Sequence, residues 1–340
     1  MPRDSEGSVR CVMAQQDHLP DDGGAQSIPA ALWRRFVAFL VDAAILGLPT
    51  LGVGIAYFDA AARLGEWGRL VGLVLALLYF TFFDSWWAEG RSPGKRLLRL
   101  TVMGKDGALL TPAMAALRAS ILYTPILLNG MPINEDVAPM VQGLLVLLTL
   151  GLLLCLAYLF LFNRSRRSLH DLIAGAIVVD ARGPQAPFLR PVWKGHWLVV
   201  GCICALTFAA PLIGSLFNVG QGQEVLRWRA TRASVAALPS VRTVQVGWGR
   251  TSIATLRTGI HQFDRVNIIV QLRARPMNYE AVARQIEDAI FAEHAEHFGQ
   301  AEVLIIIRYG FNFGVAVANN DFGVVTSLAK WRAKTQRRET

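Results

Sequence analysis

Five apolar stretches, at about 34–57, 69–88, 113–131, 138–162 and 196–217, organise the first two thirds of this chain. Each is close to the roughly 20 helical residues needed to cross a hydrocarbon core. The third is the most broken, by Arg118, Pro125 and Asn129, although a proline is accepted in a membrane helix where neighbours satisfy the freed carbonyl. After Asn218 the pattern changes. VRTVQVGW at 241–248, FDRVNIIVQLRA at 263–274, EVLIIIRY at 302–309 and FGVAVA at 313–318 read as strands rich in Val and Ile. Between the second and third, Val282, Ile286, Ala289, Ile290 and Phe298 recur at helical spacing behind Asn278, a suitable N-cap. Further helices are expected near 223–237 and 322–335. The fold class is therefore an α-helical multi-pass membrane bundle of about five transmembrane helices joined to a small α+β extracytoplasmic domain.

Loop charge orients the spans. Arg91, Lys95, Arg96, Arg99 and Lys105 crowd the second connection, and Arg164, Arg166, Arg167, Arg182, Arg190 and Lys194 crowd the fourth; both belong in the cytoplasm. The connection around Asp59, Arg63, Glu66 and Arg69 is balanced, and the one at Glu135 and Asp136 is acidic, which places both outside. The alternation requires residues 113–131 to cross, and five crossings from a cytoplasmic N-terminus leave the C-terminus outside; Arg227, Arg229 and Arg232, just after the last span, pull the other way. Residues 1–30 read as a disordered cytoplasmic tail, 31–182 as the membrane domain, 183–217 as a linker with the last span, and 218–340 as an extracytoplasmic domain able to fold alone. With 53% hydrophobic and only 17% charged residues, the composition is that of a membrane chain. The net charge of +9 is then a mark of cytoplasmic loops rather than of nucleic-acid binding.

Within this frame the costly residues are the informative ones. Asp42 lies seven residues after Arg35, on nearly the same helix face and about 10 Å deeper. A carboxylate at the centre of a membrane helix costs roughly 2.5–3.5 kcal/mol on insertion scales, so it should meet a partner or a wet cavity. Asp84 near the end of the second span and Arg118 near the start of the third are expected at similar depth, with Arg118 or Arg35 neutralising Asp42. Such a cluster serves either an ion, proton or solute pathway or an ion pair that pins helix packing. His170 beside Asp171, where the fourth span ends, can act either as a proton shuttle or as an interfacial cap with Asp171 paired to an arginine.

The remaining candidates carry less. Residues 91–112, with Ser92, Pro93 and Gly94 as a turn and Leu97, Leu98, Leu100, Val102 and Met103 on an apolar side, are expected to lie on the inner membrane surface with Lys95, Arg96 and Arg99 at anionic headgroups. The Gly-Lys pair lacks the rest of a phosphate-binding loop. Glu293, His294 and His297 lack a metal-binding spacing, and Cys202 and Cys204 read as packing residues. With Cys11 and Cys155 they form no disulfide framework. No cofactor and no enzyme activity are implied.

WRRFVAFLVD, SPGKRLLRLTVMGKDG and RRSLHDLIAGAIVV, in this order, resemble the RDD family of bacterial membrane proteins over about residues 28–182. The resemblance implies that Arg35, with Arg34 as the alternative, is the family arginine and that Asp42 and Asp171 are the two aspartates. Ser92 stands where threonine is more usual. The family's function is largely unsettled; the resemblance implies membrane transport, in some members linked to cation/proton exchange. The expected function is thus transport of ions or small solutes in the bacterial inner membrane through Arg35, Asp42, Asp84, Arg118 and Asp171. The alternative is a non-transporting scaffold or sensor whose outer domain binds a partner protein. The lipid bilayer and anionic headgroups are the expected partners, and self-association stays open. The orientation predicts that alkaline phosphatase fused after Thr340 is active and a fluorescent protein there is dark; the reverse would remove the third crossing.

Overall fold

A computed structural model describes residues 29–128, 139–182, 192–217, 222–255 and 259–339. The expected N-terminal tail, apart from its last two residues, and the connection holding Glu135 and Asp136 lie outside them. Helix α1 spans Leu32–Ala56, and with 25 residues it is long and apolar enough to cross a hydrocarbon core. A short α2, Phe58–Leu64, leads to α3, Gly68–Phe83. Helices α4, Pro93–Leu97, and α5, Pro112–Leu128, flank strand β1, Leu100–Gly104. Then come α6, Pro139–Phe162, α7, Leu169–Ile173, strand β2, Ala176–Asp180, and α8, Lys194–Phe217. Trp33, Trp86, Trp87, Trp193 and Trp197 are exposed at one end of these helices, and Tyr57 and Trp67 at the other. Amphipathic rings collect in this way at the two faces of a bilayer.

The segment expected to lie on the membrane surface instead enters a ribbon. β1 pairs antiparallel with β2, from Leu100 opposite Asp180 to Gly104 opposite Ala176, and Ala30 N donates to Val178 O at 3.1 Å. Leu100, Val102, Ala176 and Val178 are buried with Ala38 and Ala115. The partner strand lies far along the chain, so local periodicity could not reveal the pairing. Lys95 is buried as well, away from any headgroup, while Arg96 and Arg99 remain exposed. The ribbon thereby joins the two basic loops and fixes the segments that carry the candidate site.

The C-terminal region begins with α9, Gly222–Ala236, followed by β3, Val241–Thr255, β4, Gly259–Leu272, α10, Tyr279–Phe298, β5, Glu302–Asn312, β6, Val317–Thr326, and α11, Leu328–Glu339. The sheet order is β3-β4-β5-β6, with β4 and β5 parallel and the outer pairs antiparallel. A parallel pair needs a crossover, and α10 supplies it. Alternate residues Val303, Ile305, Ile307 and Tyr309 point into a core with Ile268, Val270, Ile286 and Ile290. Asn278 caps α10, its side chain accepting from Glu280 N and Ala281 N. The helix expected at 322–335 starts at Leu328, because Phe322–Thr326 complete the antiparallel ladder with β5; likewise 313–316 form a turn, and β6 begins only at Val317.

This region does not stand apart from the helices. Ala62 of α2 belongs to its core, Phe58 stacks edge-on with Phe311 at 5.7 Å, Arg242 Nη1 donates to Ala62 O at 2.7 Å, and Tyr309 Oη donates to Asp59 Oδ1 at 2.9 Å. Phe311 and Phe313 are buried with Ala61 and against Leu51. A fragment from Gly222 to Thr340 is therefore expected to unfold cooperatively but to bare both phenylalanines. Phe313→Ser in that fragment should lower light scattering on heating while leaving the thermal midpoint nearly unchanged; an unchanged tendency to aggregate would place the exposed apolar surface elsewhere.

Candidate functional site

A carboxylate is at the centre of the site because of how the ribbon folds back. Ser168 ends the descent from α6 and caps α7, and Asp171, three residues on, returns a carboxylate oxygen to Ser168 N at 3.4 Å. This turn holds Asp171 fully buried, where an unpaired charge would cost several kcal/mol. Two guanidinium groups meet it. Arg35 from α1 donates through Nη2 to Oδ2 at 2.7 Å, and Arg118 from α5 donates through Nε to Oδ1 at 2.8 Å. Arg35 is held further by the Arg166 carbonyl and by the Phe160 ring, 4.9 Å from its Cζ.

Arg118 is a bridge. Its Nη1 donates to Asp84 at the end of α3, whose other oxygen accepts from Lys95 of α4. Lys95 also sits 5.5 Å from the Phe80 ring. Arg118 Nη2 also lies 3.2 Å from His170 Nε2, which is itself 3.2 Å from Asp171 Oδ1. Burial, aided by Arg118 and Arg35 against the pull of Asp171, drives the His170 pKa from 6.5 down to about 3. Near neutral pH the ring is therefore uncharged, which removes the titration expected of a shuttle. Burial works against the charge on Asp171, yet the Arg118 and Arg35 guanidinium groups hold its carboxyl well below the usual range.

Asp42 has different company. The expected pairing with Arg118 or Arg35 is not formed: both arginines are drawn to Asp171, whose helix turn lies between them. Asp42 accepts from Tyr79 Oη at 2.9 Å, from Gly94 N at 2.8 Å and from Ser92 Oγ. The Ser92–Gly94 turn reaches it because Gly94 has no side chain; a β-carbon there would overlap the Ala38 carbonyl and press within 2.9 Å of the Asp42 carboxyl. Ser92 Oγ in turn accepts from Lys95 N at 3.3 Å, so α4 touches both carboxylates, Asp42 through Ser92 and Asp84 through Lys95. Among the described residues, Arg35, Lys95, Arg118 and Arg167 lie buried or nearly so with Asp42, Asp84 and Asp171, Arg167 donating to the Ala176 and Asp171 carbonyls. Arg34 turns away to Asp180 at 2.6 Å and to the Leu98 carbonyl.

Lys95, Tyr79 and Ser92 were not among the expected site residues. Tyr79 could have been found, since a phenol inside an apolar span needs a partner for its hydroxyl. Lys95 could not, because its loop position reads as solvated. Elsewhere, Ser234 Oγ lies 2.8 Å from His294 Nε2 and His294 stacks on His297 at 5.1 Å, but no metal-ligating group of three is found among the described residues.

Two outcomes follow from this geometry. Arg118→Met should cost about 3–5 kcal/mol in detergent melting, because it takes one of two cations from each of two buried carboxylates, and adding Asp42→Asn should give a nearly additive loss. Rescue in that double variant would mean that the two side chains meet after all. The folded chain keeps His170 neutral while the unfolded chain protonates it below about 6.5, so the unfolded state binds more protons and stability falls as pH drops from about 6.5 toward 3. The slope for one group is at most about 1.4 kcal/mol per pH unit, and His170→Gln should flatten it in melting curves taken between neutral pH and mild acid.

The comparisons with known proteins cover the same half of the chain. Residues 29–175 match the RDD family. The uncharacterized protein YckC of Bacillus subtilis (strain 168) is 29% identical over 154 residues, which is 45% of this chain and 85% of that protein. No solved structure matches. The matched span holds Arg35, Asp42, Asp84, Lys95, Arg118 and Asp171, and α9 to α11 lie beyond it. Residues 29–175 are thus similar to the RDD family, a likeness that points to a membrane protein, and a β-rich C-terminal region lies outside the matched span.

Proposed function

We propose that this is a multi-pass protein of the bacterial inner membrane that moves an ion or small solute, with Asp42 as the group that binds and releases it. The observation that carries this reading is the contrast among the three buried carboxylates. Asp84 and Asp171 are each held by two cations, whereas Asp42 meets a phenol, a hydroxyl and a backbone N–H, and no cation within ion-pair distance among the described residues. A carboxylate clamped by guanidinium groups is fixed in its charge state. One held by neutral donors can exchange them for a proton or a metal cation at lower cost. In this reading Arg35, Arg118, Asp84 and Asp171 are the frame that holds the helices, and α1, α3, α5, α6 and α8 cross the bilayer with the C-terminal region outside. Arg96 and Arg99, exposed on the cytoplasmic side, meet anionic headgroups. The activity is transport, not catalysis.

A scaffold or sensor is the second reading, favoured by the completeness of the Arg118 bridge, which a structural clamp would need as well. Purified protein in vesicles carrying a proton and cation gradient separates the two. Asp42→Asn should reduce flux to the level of empty vesicles while the melting temperature stays close to that of the parent. Parent vesicles without flux, or an Asn variant that transports normally, would leave the scaffold reading in place.

A further inference from the structure

The β5–β6 turn does more than close a hairpin. Phe313 N donates to Ala316 O at 2.8 Å, leaving Gly314 and Val315 as the two turn residues, with Gly314 at φ +75°. Such a turn usually sits in solvent. Here it enters the helix bundle between α1, α3 and α5. A β-carbon on Gly47 of α1 would lie 2.9 Å from the Val315 carbonyl oxygen, and one on Gly68 of α3 would lie 2.7 Å from that of Asn312. On Gly72 it would overlap the Phe313 carbonyl, and on Gly54 the Phe311 ring. Glycine inside a helix costs about 1 kcal/mol relative to alanine, and here Gly47 and Gly72 face the turn itself while Gly54 and Gly68 face the end of β5 that leads into it.

The seat is apolar and close to Asp42. Val315 packs with Leu46 and Tyr79 on the cluster of Leu73, Ala76, Phe80, Ala119, Tyr123 and Leu127. Leu46 follows Asp42 by one helical turn, and Tyr79 donates to Asp42. The turn and the carboxylate are therefore separated by one layer of side chains. From the opposite side, the Ser92–Gly94 turn reaches the same carboxylate. Asp42 thus lies between two inserted turns, one from each end of the bundle, where helices α1 and α3 are held apart.

We propose that the β5–β6 turn is the outer closure of the cleft that holds Asp42, so that the C-terminal region controls access to this residue from outside. Its consequence for flux rests on the transport reading, but the seating of the turn does not. The test uses the full chain with Cys11, Cys155, Cys202 and Cys204 replaced by serine. Leu46→Cys, treated from outside with a membrane-impermeant maleimide, should show no label above background. Adding Phe313→Asp and Val315→Asp, which expel the turn by the cost of burying two charges, should make the same cysteine react fully. Equal labelling with and without the two aspartates would overturn the closure.

A second variant keeps Phe313 and Val315 and adds no charge to the seat. The Leu127 β-carbon lies 3.6 Å from a β-carbon placed on Gly314, inside the 3.5–4.5 Å spanned by disulfides. Leu127→Cys with Gly314→Cys should cross-link on mild oxidation in native membranes, abolish flux in vesicles and regain it on reduction. Failure to cross-link, or full flux through the locked protein, would also overturn the proposal. Parent vesicles without flux would instead count against transport, and the labelling and cross-linking results would then decide the closure alone.

Discussion

The Asp171 carboxylate is the point on which the helix bundle depends. It lies on a five-residue helix, yet it draws one arginine from α1 and another from α5, and the second arginine carries the connection on to Asp84 and Lys95. Segments separated by more than a hundred residues are tied through two planar guanidinium groups. Their rigid forks suit this use: each arginine serves several acceptors at once without leaving its plane, which a lysine could not do. Removing any one member leaves charges that the apolar surroundings cannot hydrate, so the network stands or falls together.

The rest of the architecture fills the space that this clamp creates. Helices α1 and α3 make little direct contact, and the gap between them takes the Ser92–Gly94 turn from one side and the β5–β6 turn from the other. Both insertions rely on absent side chains, Gly94 in the first and the helical glycines in the second. A gap filled by turns rather than by a packed helix is held by fewer contacts.

Much of this was legible in the sequence where the signal is local. The long apolar runs, the cost of Asp42, Asp84 and Arg118 within them, and the alternating Val and Ile of the sheet each reflect a period or an energetic penalty that neighbours in the chain express. What was not legible is non-local. Leu100 and Val102 look like the apolar side of a segment on the membrane surface until Val178 is brought beside them; Lys95 looks solvated until Asp84 arrives. The partner of Asp42 was misjudged for the same reason. Charge alone favoured an arginine, whereas the folded chain offers a turn whose hydroxyl and N–H are already in place.

The order in which these residues emerge matters to how the chain enters a membrane. Arg118 must leave water before Asp171, 53 residues later, has been made, and an unpaired guanidinium costs about 2.5–3.5 kcal/mol at the centre of a membrane helix. Asp84, only 34 residues earlier, is already present. In the multi-pass reading proposed above, α3 and α5 would insert with the arginine already paired to the first of its two carboxylates, and it would be shared with the second when α7 forms. Asp84 is in this sense an internal chaperone, needed in time before it is needed in space.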